Sequence, residues 1–177
     1  MRIRSIKCLP ILLILLWCLS SCYEKDPNEN TYSEKVLETQ EIKGVLPTEL
    51  AVVDSVYVPI YSDIYSRSKD TCFLLTATLS IRNTSFTDTL IIKTIDYYDT
   101  QGDLVNEYLN EPIFLAPMAS IDYVIDEEDE SGGSGANFIV VWASEAQQVK
   151  PVIQAVMIAT NGQQGVAFTT EGVSISK

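Results

Sequence analysis

Apolar and polar side chains alternate along most of this chain beyond residue 50. In residues 72–82, Phe73, Leu75, Ala77, Leu79 and Ile81 fall on one side, and Leu74, Thr76, Thr78, Ser80 and Arg82 on the other. A period of two predicts a strand with one face on a core. Asn83-Thr84-Ser85 then supplies turn chemistry. The same pattern predicts strands over 56–61, 89–98, 104–108, 120–125, 138–143, 152–160 and 166–170. Residues 99–103 read as a hairpin turn in which Gly102 is free to take positive φ. Residues 116–119 and 161–165 read as further connections, and Pro59 suggests an edge strand or a bulge. No helix-period stretch of useful length follows residue 50. About seven to eight short strands with turns between them predict an all-β, antiparallel sandwich.

The first 50 residues follow other rules. Arg2, Arg4 and Lys7 precede an apolar run from Leu9 to Leu19. As a helix this run rises about 16 Å, roughly half of a hydrocarbon core. That favours a cleaved export signal over a membrane span. The run ends in Leu19-Ser20-Ser21-Cys22, which resembles the bacterial lipobox. The resemblance implies cleavage after residue 21 and acylation of Cys22 by palmitate-like chains, with two or more chains needed for firm anchoring. It implies a lipoprotein in the bacterial cell envelope, attached to membrane through its N-terminal lipid. No Asp follows Cys22 directly, which points to the outer membrane rather than the inner. Glu24-Lys25-Asp26 looks like the surface-export signals of some lipoproteins. Residues 23–50 carry seven acidic and three basic residues and read as a tether, with Thr31-x-x-Glu34 as a candidate capping box. The expected organisation is a signal over 1–21, a lipidated N-terminus and tether over 22–50, and a domain over 51–177.

Composition narrows the functions open to that domain. Hydrophobic residues make up 46 % of the chain, enough to build a core. The 12 basic residues include the three of the leader, which leaves nine against 24 acidic ones, a net charge of −15 beyond it. This opposes nucleic acid as a partner, because Lys and Arg must neutralise phosphates. Histidine is absent, which removes the commonest general base and metal ligand. Cys72 is the one cysteine of the predicted domain, so no intramolecular disulfide staples it. Its place in an alternating strand predicts a small, buried or half-buried residue.

Two resemblances extend the reading. Asn83, Asp99, Gly102, Leu115, Pro117 and Ser120 occupy places like those of immunoglobulin-like modules in bacterial envelope proteins, with Ala119 where such modules often have Gly. This implies an immunoglobulin-like sandwich and no activity. The blocks VYVPIYS (56–62), FLLTATLSIRNT (73–84), DYYD (96–99), SGGSGANFIVVW (131–142) and AVMIATNGQQGVAF (155–168) resemble a family of small bacterial secreted and lipoprotein domains of unknown function. That resemblance implies no catalytic residues.

Three candidate sites remain. Asp126, Glu128 and Glu130, within five successive carboxylates, could supply oxygen ligands for Ca²⁺. Adjacent carboxylates on an extended chain point in opposite directions, however, so a solvated loop is the plainer reading. Ser131, Gly132, Gly133, Ser134, Gly135 and Asn137 form a candidate binding loop whose N–H groups could meet an anion. It lacks the lysine of a phosphate loop, and its glycines equally permit a close chain crossing. Tyr57 and Tyr61 share a face opposite Val56, Val58 and Ile60, and could form an aromatic platform for a glycan or peptide. Neither Cys72, Ser131 nor Ser134 has an evident base. The expected function is a non-enzymatic binding or structural module with an envelope protein or glycan as partner. A calcium-stabilised domain is the second reading, and an enzyme of unknown class the third.

Overall fold

A computed structural model describes residues 46–161 and 164–175. Cys22, the leader and the tether up to residue 45 lie outside them, as does the middle of the 161–165 turn. Among the described residues, no helix is long and apolar enough to cross a membrane. Regular structure there is β throughout, apart from one short 3-10 turn at Gly133–Gly135. In chain order the strands are β1 (Val52–Pro59), β2 (Asp63–Ser66), β3 (Ser68–Leu74), β4 (Thr76–Arg82), β5 (Leu90–Tyr98) and β6 (Leu104–Glu107). Then come β7 (Ile113–Leu115), β8 (Ser120–Ile125), β9 (Asn137–Ser144), β10 (Val152–Asn161), β11 (Gln164–Glu171) and β12 (Val173–Ser174).

They form two main antiparallel sheets. The first runs β12-β1-β9-β5-β6, with β7 also pairing with β5; the second runs β11-β10-β4-β8. Strands β2 and β3 make a separate hairpin. Alternation decides which side chains meet between the sheets. Val56, Val58, Phe138 and Val140 come from the first sheet, and Ala77, Leu79, Ile81, Ala155 and Met157 from the second, and all join one buried cluster. Burying each Val, Leu, Ile or Phe contributes about 1.5–3 kcal/mol. The Thr170 hydroxyl of β11 donates to the Pro59 carbonyl and ties the sheets together at one corner.

Each of the eight expected segments meets a strand, and β8 coincides with its prediction. Four further pieces raise the count to twelve among the described residues. The segment 72–82 divides at Leu75, whose N–H still donates to the Ser62 carbonyl at 2.8 Å in the register of the β2–β3 hairpin. Residues before it belong to the β2–β3 hairpin and residues after it to the second sheet. Strand β5 holds a bulge between Ile92 and Thr94 in its pairing with β9. The extra residue, Lys93, lets Leu90 and Ile92 face the core on one parity, and Ile95 and Tyr97 on the other. Strand β12 covers only Val56 and Tyr57 of β1, so Pro59 sits where one flank of its strand is uncovered.

The four central strands keep the pairing of an immunoglobulin sandwich: β4 lies beside β8, and β5 beside β9. The outer partners exchange places. In that fold the first strand lies beside the second and the last beside the sixth. Here β1 lies beside β9, and β10 beside β4.

Of two turn positions, one meets expectation and one departs from it. Gly102 has φ +87°, as the hairpin reading requires. In the 116–119 turn it is Met118, at φ +62°, that takes the left-handed conformation. The glycine position of the envelope-module pattern is therefore Met118 and not Ala119.

Candidate functional site

The glycine-rich loop forms one corner of the domain. Ser62, fully buried, places its hydroxyl 2.9 Å from the Tyr97 hydroxyl. Its N–H donates to the Gly133 carbonyl at 3.0 Å. Thr100 binds the same loop three times: its N–H and its hydroxyl both donate to the Gly132 carbonyl, and its hydroxyl accepts from the Gly135 N–H, each at 2.9 Å. Gly132 is pressed so closely on Tyr97 that a Cβ there would lie 1.8 Å from the phenol oxygen. Gly133 needs its freedom for a different reason, at φ +72°. Residues from three of the sequence blocks thus converge, through Ser62, Tyr97 and Gly132. The loop's N–H at Gly135 is spent on Thr100, and the arrangement closes a corner of the sandwich. Asn137 opens β9, between Pro59 and Tyr98. Ser131 and Ser134 sit at the solvent side, exposed and half-buried respectively.

The acidic run precedes this corner. All five of its residues are exposed. The Asp129 N–H donates to the Asp126 carbonyl at 3.0 Å, and the Asp129 carboxylate accepts from the Ser131 N–H at 2.9 Å. Among the described residues no three carboxylate or thiol groups converge into a set that could hold a metal ion, so Asp126, Glu128 and Glu130 are not brought together as a calcium site. The carboxylates act instead on two phenols. Burial raises the Tyr97 phenol; Ser62 lowers it by hydrogen bonding, and the Asp129 charge adds to the rise. Burial likewise raises Tyr108, opposed by a hydrogen bond from Asn106 and reinforced by Asp129 and Asp126.

The structure parts the two platform tyrosines. Val56, Val58 and Ile60 are core, as expected. Tyr57 lies on the outer face of β1, opposite Ile139 and Val173 in register. Tyr61 follows the end of β1 and packs against the core, its ring edge-on to Phe168 at 5.7 Å between centroids. Cys72 also departs from expectation and is exposed. It belongs to the β2–β3 hairpin, opposite the exposed Tyr65, and not to the sandwich.

Two further elements emerge, one at a residue that the sequence reading took as turn chemistry and one that it did not single out. Asn83, 2 % exposed, joins three chain segments. Its amide donates to the carbonyls of Asp88, Leu115 and Ala116 at 2.8, 3.1 and 3.1 Å, and its carbonyl accepts from the Ser85 N–H at 3.0 Å. The second element is a cavity of about 370 Å³ where the chain passes from β11 to β12 through Gly172. Val52, Asp54 and Val56 of β1 line it, with Trp142 of β9, Gln147, Val149, Lys150, Pro151, Ile153, Gly172 and Ser174. Gly172 is tight: a Cβ there would meet Val56 at 2.5 Å and the Ile153 carbonyl at 2.9 Å. Asp54 and Trp142 are direct cross-strand partners. The signal for Asp54 was in the sequence, because a carboxylate occupies the apolar parity Val52-x-Asp54-x-Val56-x-Val58.

Fold and site together define an all-β domain of two antiparallel sheets with one shared core, a glycine-locked corner and an end cavity. The family described as "Protein of unknown function (DUF3124)" matches residues 53–175, and the chain belongs to that family. No curated protein matches it. Among solved structures, the crystal structure of Thermotoga maritima 1070 is similar at 15 % identity over 68 % of this chain and 92 % of that one. Its TM-score of 0.39 is too low to carry an argument.

Proposed function

We propose that this chain is a lipid-anchored, non-enzymatic binding module of the bacterial cell envelope. The observation that carries the anchoring is the sequence Leu19-Ser20-Ser21-Cys22 at the end of a short apolar run with a basic start. Cys22 takes the lipid, and the acidic tether holds the domain off the membrane surface. The polar chemistry of the domain supports binding over turnover. Its buried polar side chains, Ser62, Ser80, Asn83 and Ser144, each hold a hydrogen bond to another protein group. The end cavity brings an acid and an indole together. The partner is an envelope protein.

Detergent phase partition of cells expressing the full chain tests the anchor. The wild type should enter the detergent phase and Cys22→Ser the aqueous phase. Equal partition of the two proteins would remove the lipid anchor from the reading.

A further inference from the structure

The second sheet ends on β8, which pairs with β4 on one flank and, among the described residues, with no strand on the other. The phase of its ladder decides which main-chain groups are left over. The Asn83 N–H donates to the Ala119 carbonyl at 2.9 Å, in register with the β4–β8 pairing. Hydrogen-bonded pairs alternate along an antiparallel ladder, so Ile121, Tyr123 and Ile125 turn their N–H and C=O groups to β4. Ser120, Asp122 and Val124 turn theirs outward, and no described residue bonds to them. Asp122 and Val124 are exposed.

Such an edge is ordinarily guarded against pairing by lysine, proline or a bulge. Strand β8 has no lysine or proline, and its register against β4 is unbroken from Ser120 to Ile125. Its charge is negative instead: Asp122 stands on the strand, and the exposed acidic run 126–130 follows directly on its end. That charge selects the occupant. A second copy of this chain would pair β8 with itself about a two-fold axis. Bringing all three outward residues into the ladder puts the axis at Asp122 and sets two carboxylates opposite each other, which is destabilising. A lysine at that place reverses the sign. We propose that β8 takes on a further strand from a partner protein, an extended segment with a basic block N-terminal to the paired stretch. In the antiparallel sense the N-terminal end of that segment lies beside residues 126–130, and a lysine within it meets Asp122. Main-chain bonds supply the hold, and the carboxylates choose the charge. This deepens the reading of the domain as a binding module, on which it rests, and does not depend on the lipid anchor.

The test uses the full chain in detergent micelles and a fluorescein-labelled peptide, KRKRVTVKVT, whose last six residues match β8 in length. Saturable binding is expected by fluorescence anisotropy, with slowed amide exchange at Asp122 and Val124. Two control peptides should each bind about tenfold more weakly or worse. One carries EDED in place of KRKR; the other is N-methylated at the threonines and the lysine between them, which removes the N–H groups turned to β8. Neutralising the exposed run, with Asp126→Asn, Glu127→Gln, Glu128→Gln, Asp129→Asn and Glu130→Gln together, should also weaken binding about tenfold. Asp122→Pro and Val124→Pro each remove an outward N–H without touching the β4 ladder and should abolish binding; either one that keeps a wild-type melting transition suffices. Absence of saturation, binding without slowed exchange at Asp122 and Val124, equal binding of the N-methylated peptide, or full binding to a folded proline variant would each overturn the proposal. Envelope proteins retained alike by the wild type and a folded proline variant would overturn the edge and leave the binding module standing. The Cys22→Ser partition is read independently of both.

Discussion

Ser62 and Tyr97 stand 35 positions apart in the chain, yet their hydroxyl oxygens lie 2.9 Å apart in the interior, beneath Gly132. The bond exists because Gly132 has no side chain, and three distant segments depend on that absence. Gly132→Ala should therefore destabilise the domain by about 2–3 kcal/mol, in the range of other overpacked sites. Removing the phenol oxygen opens part of the space that Cβ needs. The double variant Gly132→Ala, Tyr97→Phe should lose less than the sum of the two single losses, by about 1 kcal/mol. Denaturant melts of the four proteins check this; strict additivity would contradict the packing relationship.

Asn83 offers a second test of the same kind. Replacing it by Ala leaves the carbonyl groups of Asp88, Leu115 and Ala116 without their donor, and the Leu115 bond is buried. Each unsatisfied buried group costs about 1–3 kcal/mol, partly relieved by relaxation. Asn83→Ala should cost about 3 kcal/mol in urea unfolding. Thr84→Ala, next in the chain but bonded at the surface to the Lys150 carbonyl, should cost under about 1 kcal/mol.

Met118 predicts a gain. A non-glycine residue at φ +62° costs about 1–2 kcal/mol relative to glycine, while glycine frees the unfolded chain by about 0.4–1 kcal/mol. Met118→Gly should therefore stabilise by about 0.5–1 kcal/mol. Met118→Ala should show no such gain, and a melting midpoint that fails to rise in the glycine variant would contradict the left-handed assignment.

The pH dependence follows from Asp96. Burial, then the charge of Glu107 directly across the ladder, raise its carboxyl above the usual carboxylate range, with Thr94 opposing. A raised acid binds more protons folded than unfolded, so stability falls as pH rises from the unfolded pKa, near 4, through the raised folded value. Asp96→Asn should remove that fall. Its melting midpoint should exceed the wild type's at pH 7 and approach it at pH 3. An equal effect at both pH values would show that the carboxyl does not titrate as described.

Cys72 gives a readout that joins the fold to the anchor. It is exposed on its hairpin and should react with a maleimide in the folded protein without prior unfolding. In the membrane-extracted protein, removal of Cys8 and Cys18 with the leader and acylation of Cys22 would leave one titratable thiol of the four cysteines. Two thiols in that protein would count against lipidation.

Strand positions were legible because alternation records which side chains face a core. The pattern of Phe73, Leu75, Ala77 and Leu79 is continuous, however, while the ladder beneath it changes partner at Leu75. Side-chain parity carries no record of which main chain receives the bonds. This is also why Cys72 looked half-buried and proved exposed. The close crossing of the glycine loop was foreseen as one of its readings, but its partners Ser62 and Thr100 were not, because their roles arise from loop geometry. Asp54 broke the apolar parity of its strand and was readable; the unpartnered indole beside it was not, since that depends on side-chain placement.

The exchange of outer strands sets a schedule for folding. Arg82 at the end of β4 pairs with Val152 at the start of β10, 70 positions later. At roughly 5–20 residues per second, a ribosome needs several seconds to make the intervening chain. Until β10 arrives, the second sheet has no inner ladder beyond β4 and β8, and a bare strand edge invites pairing with other chains. The domain therefore matures late and nearly all at once, and a truncation before β10 should yield an aggregating fragment instead of a smaller folded one.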